Sequence, residues 1–161
     1  MPGKERSHVH HIIKQNKSTA IFMDVHNKKT RSFNMSQIKG KNTKPELLVR
    51  KYLHSRGLRF RLHDCQLPGK PDIVLSKYRL VIQVHGCFWH KHKDCKYFII
   101  PKTRTEWWLE KLSNTARMDI GNKKELAQMG WNTIVVWECE LKGIQKLEAL
   151  SSIYNSIVCE N

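Results

Sequence analysis

Leu67-Pro68-Gly69-Lys70-Pro71-Asp72-Ile73-Val74-Leu75-Ser76-Lys77-Tyr78-Arg79-Leu80-Val81-Ile82-Gln83-Val84-His85 is the stretch whose reading decides the fold. Its proline- and glycine-rich start, 67–71, reads as a turn. Asp72 opens a strand running to Leu75, Ser76-Lys77 makes a tight connection, and Leu80 to Val84 has the β-branched, apolar character of a buried strand. Just upstream, Leu58 to Leu62 alternates apolar and basic residues, as a half-exposed strand does. The three runs predict a sheet that brings Asp72 and His85 close together at one end.

Helices flank this sheet in the sequence. Thr43-Lys44-Pro45-Glu46 supplies a cap, a proline for the first turn and the glutamate of a capping box; Gly57 marks the end of that helix. Thr103-Arg104-Thr105-Glu106 reads as a second capping box, opening a long helix that Gly130 breaks. Thr133 to Trp137 is another buried strand. Ile144, Leu147, Leu150, Ile153, Tyr154 and Ile157 recur at helical spacing. The order αβββαβα predicts an α/β fold, a mixed sheet with helices on its faces.

The 161 residues carry 29 Lys/Arg against 14 Asp/Glu, a formal net charge of +15. The excess is uneven: residues 1–63 hold 15 basic and 3 acidic groups (+12), the remainder 14 and 11 (+3). Such asymmetry points to a polyanionic partner, nucleic acid above all. Residues 1–33 read as a basic, flexible arm and 34–161 as the folded domain. No apolar run reaches membrane-spanning length and no secretory signal is legible, so a membrane role is not expected. Five cysteines without a small-scaffold spacing fit a reducing compartment and metal ligation better than disulfides.

Chemistry concentrates in His85-Gly86-Cys87-Phe88-Trp89-His90-Lys91-His92-Lys93-Asp94-Cys95. Cys87, His92 and Cys95, with Cys139 far downstream, offer three thiolates and an imidazole, a set that Zn2+ accepts in a closed tetrahedral structural site. His85 or His90 could replace His92, and the plain alternative is a set of ordinary thiols. Cys65 and Cys159 have no evident partners. Asp72, a hairpin, then Gln83-Val84-His85 has the shape of the Pro-Asp…(Asp/Glu)-x-Lys nuclease pattern, with Gln83 in place of the second acid and His85 in place of Lys. A carboxylate there would hold Mg2+, and a neutral histidine can take a proton from water near pH 7. Asp72 could equally be a turn cap. Core packing is the usual role of aromatics, but the adjacent pairs Phe88-Trp89 and Trp107-Trp108 cannot both face one core; a member left exposed could stack on bases or wedge between them.

Asn34-Met35-Ser36, Asn42 to Glu46, Leu67 to Asp72, His85 to His90, Pro101 to Trp108, Gly130-Trp131 and Trp137 to Leu141 together resemble the very short patch repair endonucleases, over about Arg31 to Leu141. These are bacterial enzymes that nick DNA at G·T mismatches left by deamination of 5-methylcytosine. The resemblance implies a restriction-endonuclease-like fold. It implies Mg2+ held by Asp72 and the backbone carbonyl of Val84, His85 activating water, and Glu46 and His90 assisting. It further implies Zn2+ held by Cys87, His92, Cys95 and Cys139. Phe88, Trp89 and Trp108 would enter the base stack beside the mismatch, and Met35 would approach from the other groove. The implied partner is double-stranded DNA with a G·T mismatch, bound by a monomer in the bacterial cytoplasm at the nucleoid, with mismatch-repair proteins as further partners. Two positions depart from the family: Lys93-Asp94 puts two residues between the zinc-site His and Cys where many relatives have one, and Asn114 and Arg117 fall one position early relative to Asp119. A restriction-type endonuclease acting on matched DNA and a non-catalytic zinc-stabilised DNA-binding protein are the alternative readings.

Overall fold

The computed structural model describes residues 27–159. Four strands form one sheet in the order β1-β2-β3-β4: β1 (Arg61–Leu62), β2 (Ile73–Leu75), β3 (Leu80–His85) and β4 (Asn132–Trp137). β1, β2 and β3 are antiparallel neighbours, and β4 runs parallel to β3. That parallel pairing needs a crossover, which the 24-residue α3 (Thr105–Gln128) supplies. The remaining helices are α1 (Lys28–Ser36), α2 (Lys44–Ser55) and α4 (Lys146–Cys159). α1 crosses the expected boundary between residues 33 and 34, and residues 1–26 of the expected arm lie outside the described residues.

Strand alternation distributes the core over both faces. Ile73, Leu75, Leu80 and Ile82 pack with Val49 and Leu53 of α2 and with Leu150, Ile153 and Ile157 of α4. Val74 and Val81 point the other way, joining Leu67, Leu126 of α3 and Trp131. Burial on both faces is why β2 and β3 read as nearly unbroken apolar runs. The antiparallel hairpin sets the start of β2 and the end of β3 side by side, so Asp72 and His85 share one end of the sheet, as expected.

Three local expectations are corrected. The Leu58–Leu62 strand is only Arg61–Leu62, because Leu58 belongs to the end of α2. Gly57 (φ +84°) donates to the His54 carbonyl at 3.0 Å and Leu58 to the Leu53 carbonyl at 3.1 Å. This is a Schellman closure with Leu58 folded into the core rather than laid along the sheet. The first capping box forms between Thr43 and Glu46, but the second does not. Arg104 takes a left-handed conformation (φ 54°), the helix starts at Thr105, and the Thr105 hydroxyl donates to the carbonyls of Pro101 and Lys102. The C-terminal stripe is also narrower than its periodicity implies. Ile144 precedes α4 and is 99% exposed, and Leu147 points to solvent, because only one side of α4 meets the sheet.

Candidate active site and metal centre

Among the described residues, three clusters of His, Cys, Asp or Glu side chains of the kinds that can hold a metal surround the end of the sheet where β2 begins and β3 stops. The first joins Glu46, His63 and Asp72, the second His85, His90 and Asp119, and the third Cys87, His92, Cys95 and Cys139; within each, one ligand atom per residue lies within 4.8 Å of the others. The first two open into a cleft of about 1170 Å³ that is also lined by residues 37–45, Gly69, Lys70 and Trp89.

Asp72 reaches the cleft because the 67–71 turn packs tightly on the sheet. Gly69 has φ +72°, and a Cβ there would lie 2.9 Å from the Asn122 amide nitrogen and 3.0 Å from that of Gln83. Only glycine fits both the backbone and the gap. Asp72 Oδ2 accepts from the Val84 N–H at 2.7 Å, tying the carboxylate to β3. Burial pushes the Asp72 carboxyl above its usual range, opposed by the Val84 donor, and the Glu46 carboxylate adds to the rise. A half-buried, partly unneutralised acid of this kind is suited to a cation.

Glu46 does two jobs. It completes the capping box by accepting from the Thr43 N–H at 3.3 Å, and it also accepts from Asn42 N at 2.9 Å and from the Thr43 hydroxyl at 2.8 Å. It also accepts from Arg50 Nη2 at 2.6 Å inside the cleft wall.

His85 is buried and stacks flat on His90, ring centroids 3.7 Å apart and planes 7° apart. His90 Nδ1 lies 2.7 Å from Asp119 Oδ2 on α3, so the carboxylate fixes a proton on Nδ1 and leaves Nε2 toward the cleft. Burial, then the neighbouring His90, lowers the His85 pKa to about 4. His85 is therefore neutral, able to accept a proton, throughout the neutral range. The same shift has a stability consequence. Between pH 6.5 and 4 the unfolded chain holds a proton on His85 that the folded chain does not. Stability is fully present above that window and declines as pH falls through it. From pH 7 to 5 the loss is about 2 kcal/mol, or roughly 5 °C in melting temperature for a domain of this size. The His85→Asn variant should lack this part of the pH dependence; parallel melting-temperature profiles for the two proteins would contradict it.

The third cluster answers the sequence question of which histidine joins the cysteines. His92 does so, its Nδ1 3.4 Å from Cys139 Sγ, while His85 and His90 face Asp119. The two-residue Lys93-Asp94 spacing is accommodated because Asp94 turns through a left-handed conformation (φ 56°), returning Cys95 to the cluster. A tetrahedral zinc with Zn–S bonds of 2.3 Å needs sulfurs about 3.8 Å apart, within the span observed. Burial pushes the Cys87 thiol up to about 12 and raises Cys139 as well, so these sulfurs become thiolates only with a compensating cation. The donor set thus fits zinc. Cys65 and Cys159 are exposed and outside the cluster. Trp137 couples the two sites. His92 stacks on it at 3.9 Å, and His85 meets it edge-on at 5.3 Å.

Phe88, Trp89 and Trp108 form one aromatic group. Phe88 contacts both tryptophans at 5.1 and 5.3 Å, and Trp89 lies 6.1 Å from Trp108. Trp107 extends it outward, 4.7 Å from Trp108, with Arg104 and Lys111 over its ring. Met35, on α1, is exposed just ahead of the 37–41 segment that lines the cleft. Asn114 and Arg117 are exposed on α3, while Asp119 reaches His90. Sequence reasoning did not single out His63 or Arg50, and gave Asp119 no partner. Their signal is three-dimensional, though the polar His63-Asp64 after an alternating run was visible.

An acid and a neutral histidine at adjoining strand ends of a mixed sheet, in a cleft rimmed by aromatic and basic side chains, define a restriction-endonuclease-like nuclease domain. The profile of the family DNA mismatch endonuclease Vsr matches residues 23–97. The chain is 45% identical over 138 residues to the DNA mismatch endonuclease Vsr of Escherichia coli K12, covering 84% of this chain and 88% of that protein. It is 51% identical over 119 residues to the type II nicking enzyme V.NmeAIP of Neisseria meningitidis serogroup A (74% and 84% covered). It is 48% identical over 119 residues to V.XorIIP, a type II nicking enzyme of Xanthomonas oryzae (74% and 87%). The chain belongs to the Vsr DNA mismatch endonuclease family. Among the described residues no helix is long and apolar enough to cross a membrane.

Proposed function

We propose that this protein nicks double-stranded DNA 5′ to the T of a G·T mismatch, using Mg2+ for the reaction and Zn2+ for structure. The observation that carries this reading is the placement of the aromatic group: Trp89 lines the same cleft as Asp72 and His85, so a side chain able to enter a base stack adjoins the acid and the base. The names of the relatives, mismatch endonuclease and nicking enzyme, support the same activity.

In this reading Asp72 and the Val84 carbonyl would hold Mg2+, which when bound polarises the phosphate and makes an attacking water more acidic. His85, kept neutral by burial, takes the proton from that water as its oxygen bonds to phosphorus and the bond to the departing sugar oxygen breaks. His90, held by Asp119, stacks against His85 and keeps its ring in place. Glu46 orders the polar network at the cleft wall. Cys87, His92, Cys95 and Cys139 would hold the zinc. Phe88, Trp89 and Trp108 open the wobble pair, which costs less to unstack than a matched one. Met35 approaches from the other groove. The basic arm, 1–33, adds phosphate contacts to the 34–161 endonuclease domain, so binding weakens steeply with salt. One asymmetric lesion is served by a monomer; a handover to mismatch-repair proteins and action at the bacterial nucleoid would follow.

The test is strand-resolved nicking of end-labelled duplexes, G·T against matched, in several cytosine-methylation contexts, with Mg2+ or with chelator. A Mg2+-dependent nick beside T confined to mismatched DNA is expected; cutting of matched DNA would place the protein with restriction-type enzymes. Trp89→Ala should lower the preference for mismatched over matched duplex about tenfold or more, the worth of one aromatic–base stack. Unchanged preference in that variant would remove the wedge from the mechanism.

A further inference from the structure

We infer that His63 is a positioning residue for Asp72, with its tautomer set by Arg50. The inference rests on the reading of Asp72 as the carboxylate that holds Mg2+.

Arg50 is buried, and its Nη2 lies 2.6 Å from Glu46 Oε2 and 2.9 Å from His63 Nε2, while Nη1 donates to Asn42 Oδ1 at 2.6 Å. A guanidinium carries donors only and does not lose its proton in proteins. His63 Nε2 must therefore be the acceptor, and the proton of a neutral His63 sits on Nδ1. Nδ1 is the atom that faces Asp72, 3.8 Å from Oδ1. Asp72 Oδ2 is already engaged by the Val84 N–H. The chain Glu46–Arg50–His63–Asp72 thus brings an N–H to 3.8 Å, longer than a direct hydrogen bond, from the one carboxylate oxygen that β3 does not hold.

The backbone supports a dedicated role. His63 follows β1 directly in a left-handed conformation (φ 49°), uncommon for a residue with a side chain. That turn places the ring in the cleft. Such conformations persist where surrounding structure over-determines them, often at functional sites.

The same contacts argue against the obvious alternative, that Glu46, His63 and Asp72 form a separate metal site with His63 as a nitrogen ligand. Nε2 is occupied by Arg50, Nδ1 carries the proton, and the guanidinium stands against the Glu46 oxygen a cation would need. His63 instead restricts the rotation of Asp72, as outer-shell partners of metal-holding groups do.

Two readouts on the full chain test this. Long-range 1H–15N correlation should show His63 as the Nδ1–H tautomer in the wild type and a shift away from it in Arg50→Met, which removes the donor facing Nε2. A Mg2+ titration followed at the Val84 amide should show His63→Leu needing about tenfold more Mg2+. His63→Gln, which keeps one acceptor and one donor, should recover most of the affinity. Affinity for a G·T duplex in chelator should be unchanged in both variants. An Nε2–H tautomer in the wild type, equal Mg2+ affinity in His63→Leu, or a loss that Gln does not restore would each overturn the inference. If the wild type gives no Mg2+ response at Val84, the assignment of Asp72 fails and takes His63 with it. That result differs from one in which wild type and His63→Leu respond alike.

Discussion

Asp72→Ala should abolish nicking of a G·T duplex, by roughly three orders of magnitude or more, because in the proposed mechanism its carboxylate holds the metal, worth several kcal/mol of transition-state stabilisation. Binding to the same duplex in chelator should persist, since the aromatic group and the basic side chains are untouched. The substitution also predicts an unusual stability result. Asp72 titrates above its ordinary range because it is half-buried and beside Glu46, so its ionised form costs the folded state stability at neutral pH. Asp72→Asn keeps an acceptor for the Val84 N–H and removes the charge, and it should melt at or above the wild-type temperature. Activity lost together with a raised melting temperature would mark a site that trades stability for function. Residual Mg2+-dependent nicking near the wild-type rate in Asp72→Asn would remove Asp72 from the reaction. A melting temperature well below wild type would instead make it a structural turn cap.

The second large effect is expected at Cys139, the proposed zinc ligand that comes from beyond β4. Cys139→Ser should release zinc and lower the melting temperature by roughly 15 °C or more, the equivalent of about 5 kcal/mol for a domain of this size. The magnitude follows from scale. Structural zinc sites bind with an apparent free energy on the order of 10 kcal/mol, comparable to the whole stability of a typical domain. The 86–104 segment contains no helix or strand, so it is held by side-chain contacts: the Cys/His cluster, His90 on His85 and Asp119, and Lys91 on Ser113. Zinc loss should therefore also disorder Phe88 and Trp89, which sit between the proposed ligands Cys87 and His92, and mismatch preference should fall with stability. Because metal-free Cys87 and Cys139 are held protonated by burial, zinc uptake must release protons and weaken in acid. Metal analysis finding no zinc in purified protein, or Cys139→Ser melting with the wild type, would defeat this account.

Much of this architecture was legible in the linear chain, and for local reasons. The Thr43–Glu46 capping box, the Pro71-Asp72 strand start and the Leu80–Val84 run are each specified by neighbours a few positions apart, which is the range over which backbone hydrogen bonding and side-chain alternation act. The cysteine-histidine segment was legible because its ligands are chemically rare and dense. Local reading failed where two local signals competed. Leu58 fits a strand pattern and a helix-closing motif equally well, and burial beside Leu53 settled it. Thr103 looks like a cap, but the left-handed Arg104 moved the helix start past it.

The residues of this chain thus specify its elements, its two-faced core and its set of zinc-capable side chains, since those depend on composition and short spacing. Which histidine serves which cluster was settled by folding. His85, His90 and His92 lie within eight positions of one another, yet β3 turns the first toward Asp119, the loop stacks the second upon it, and Trp137 receives the third. The Glu46–Arg50–His63–Asp72 chain joins a helix, a strand end and a turn. Contacts of that kind follow no periodicity, because they are made by the packing of elements against one another rather than within any one of them.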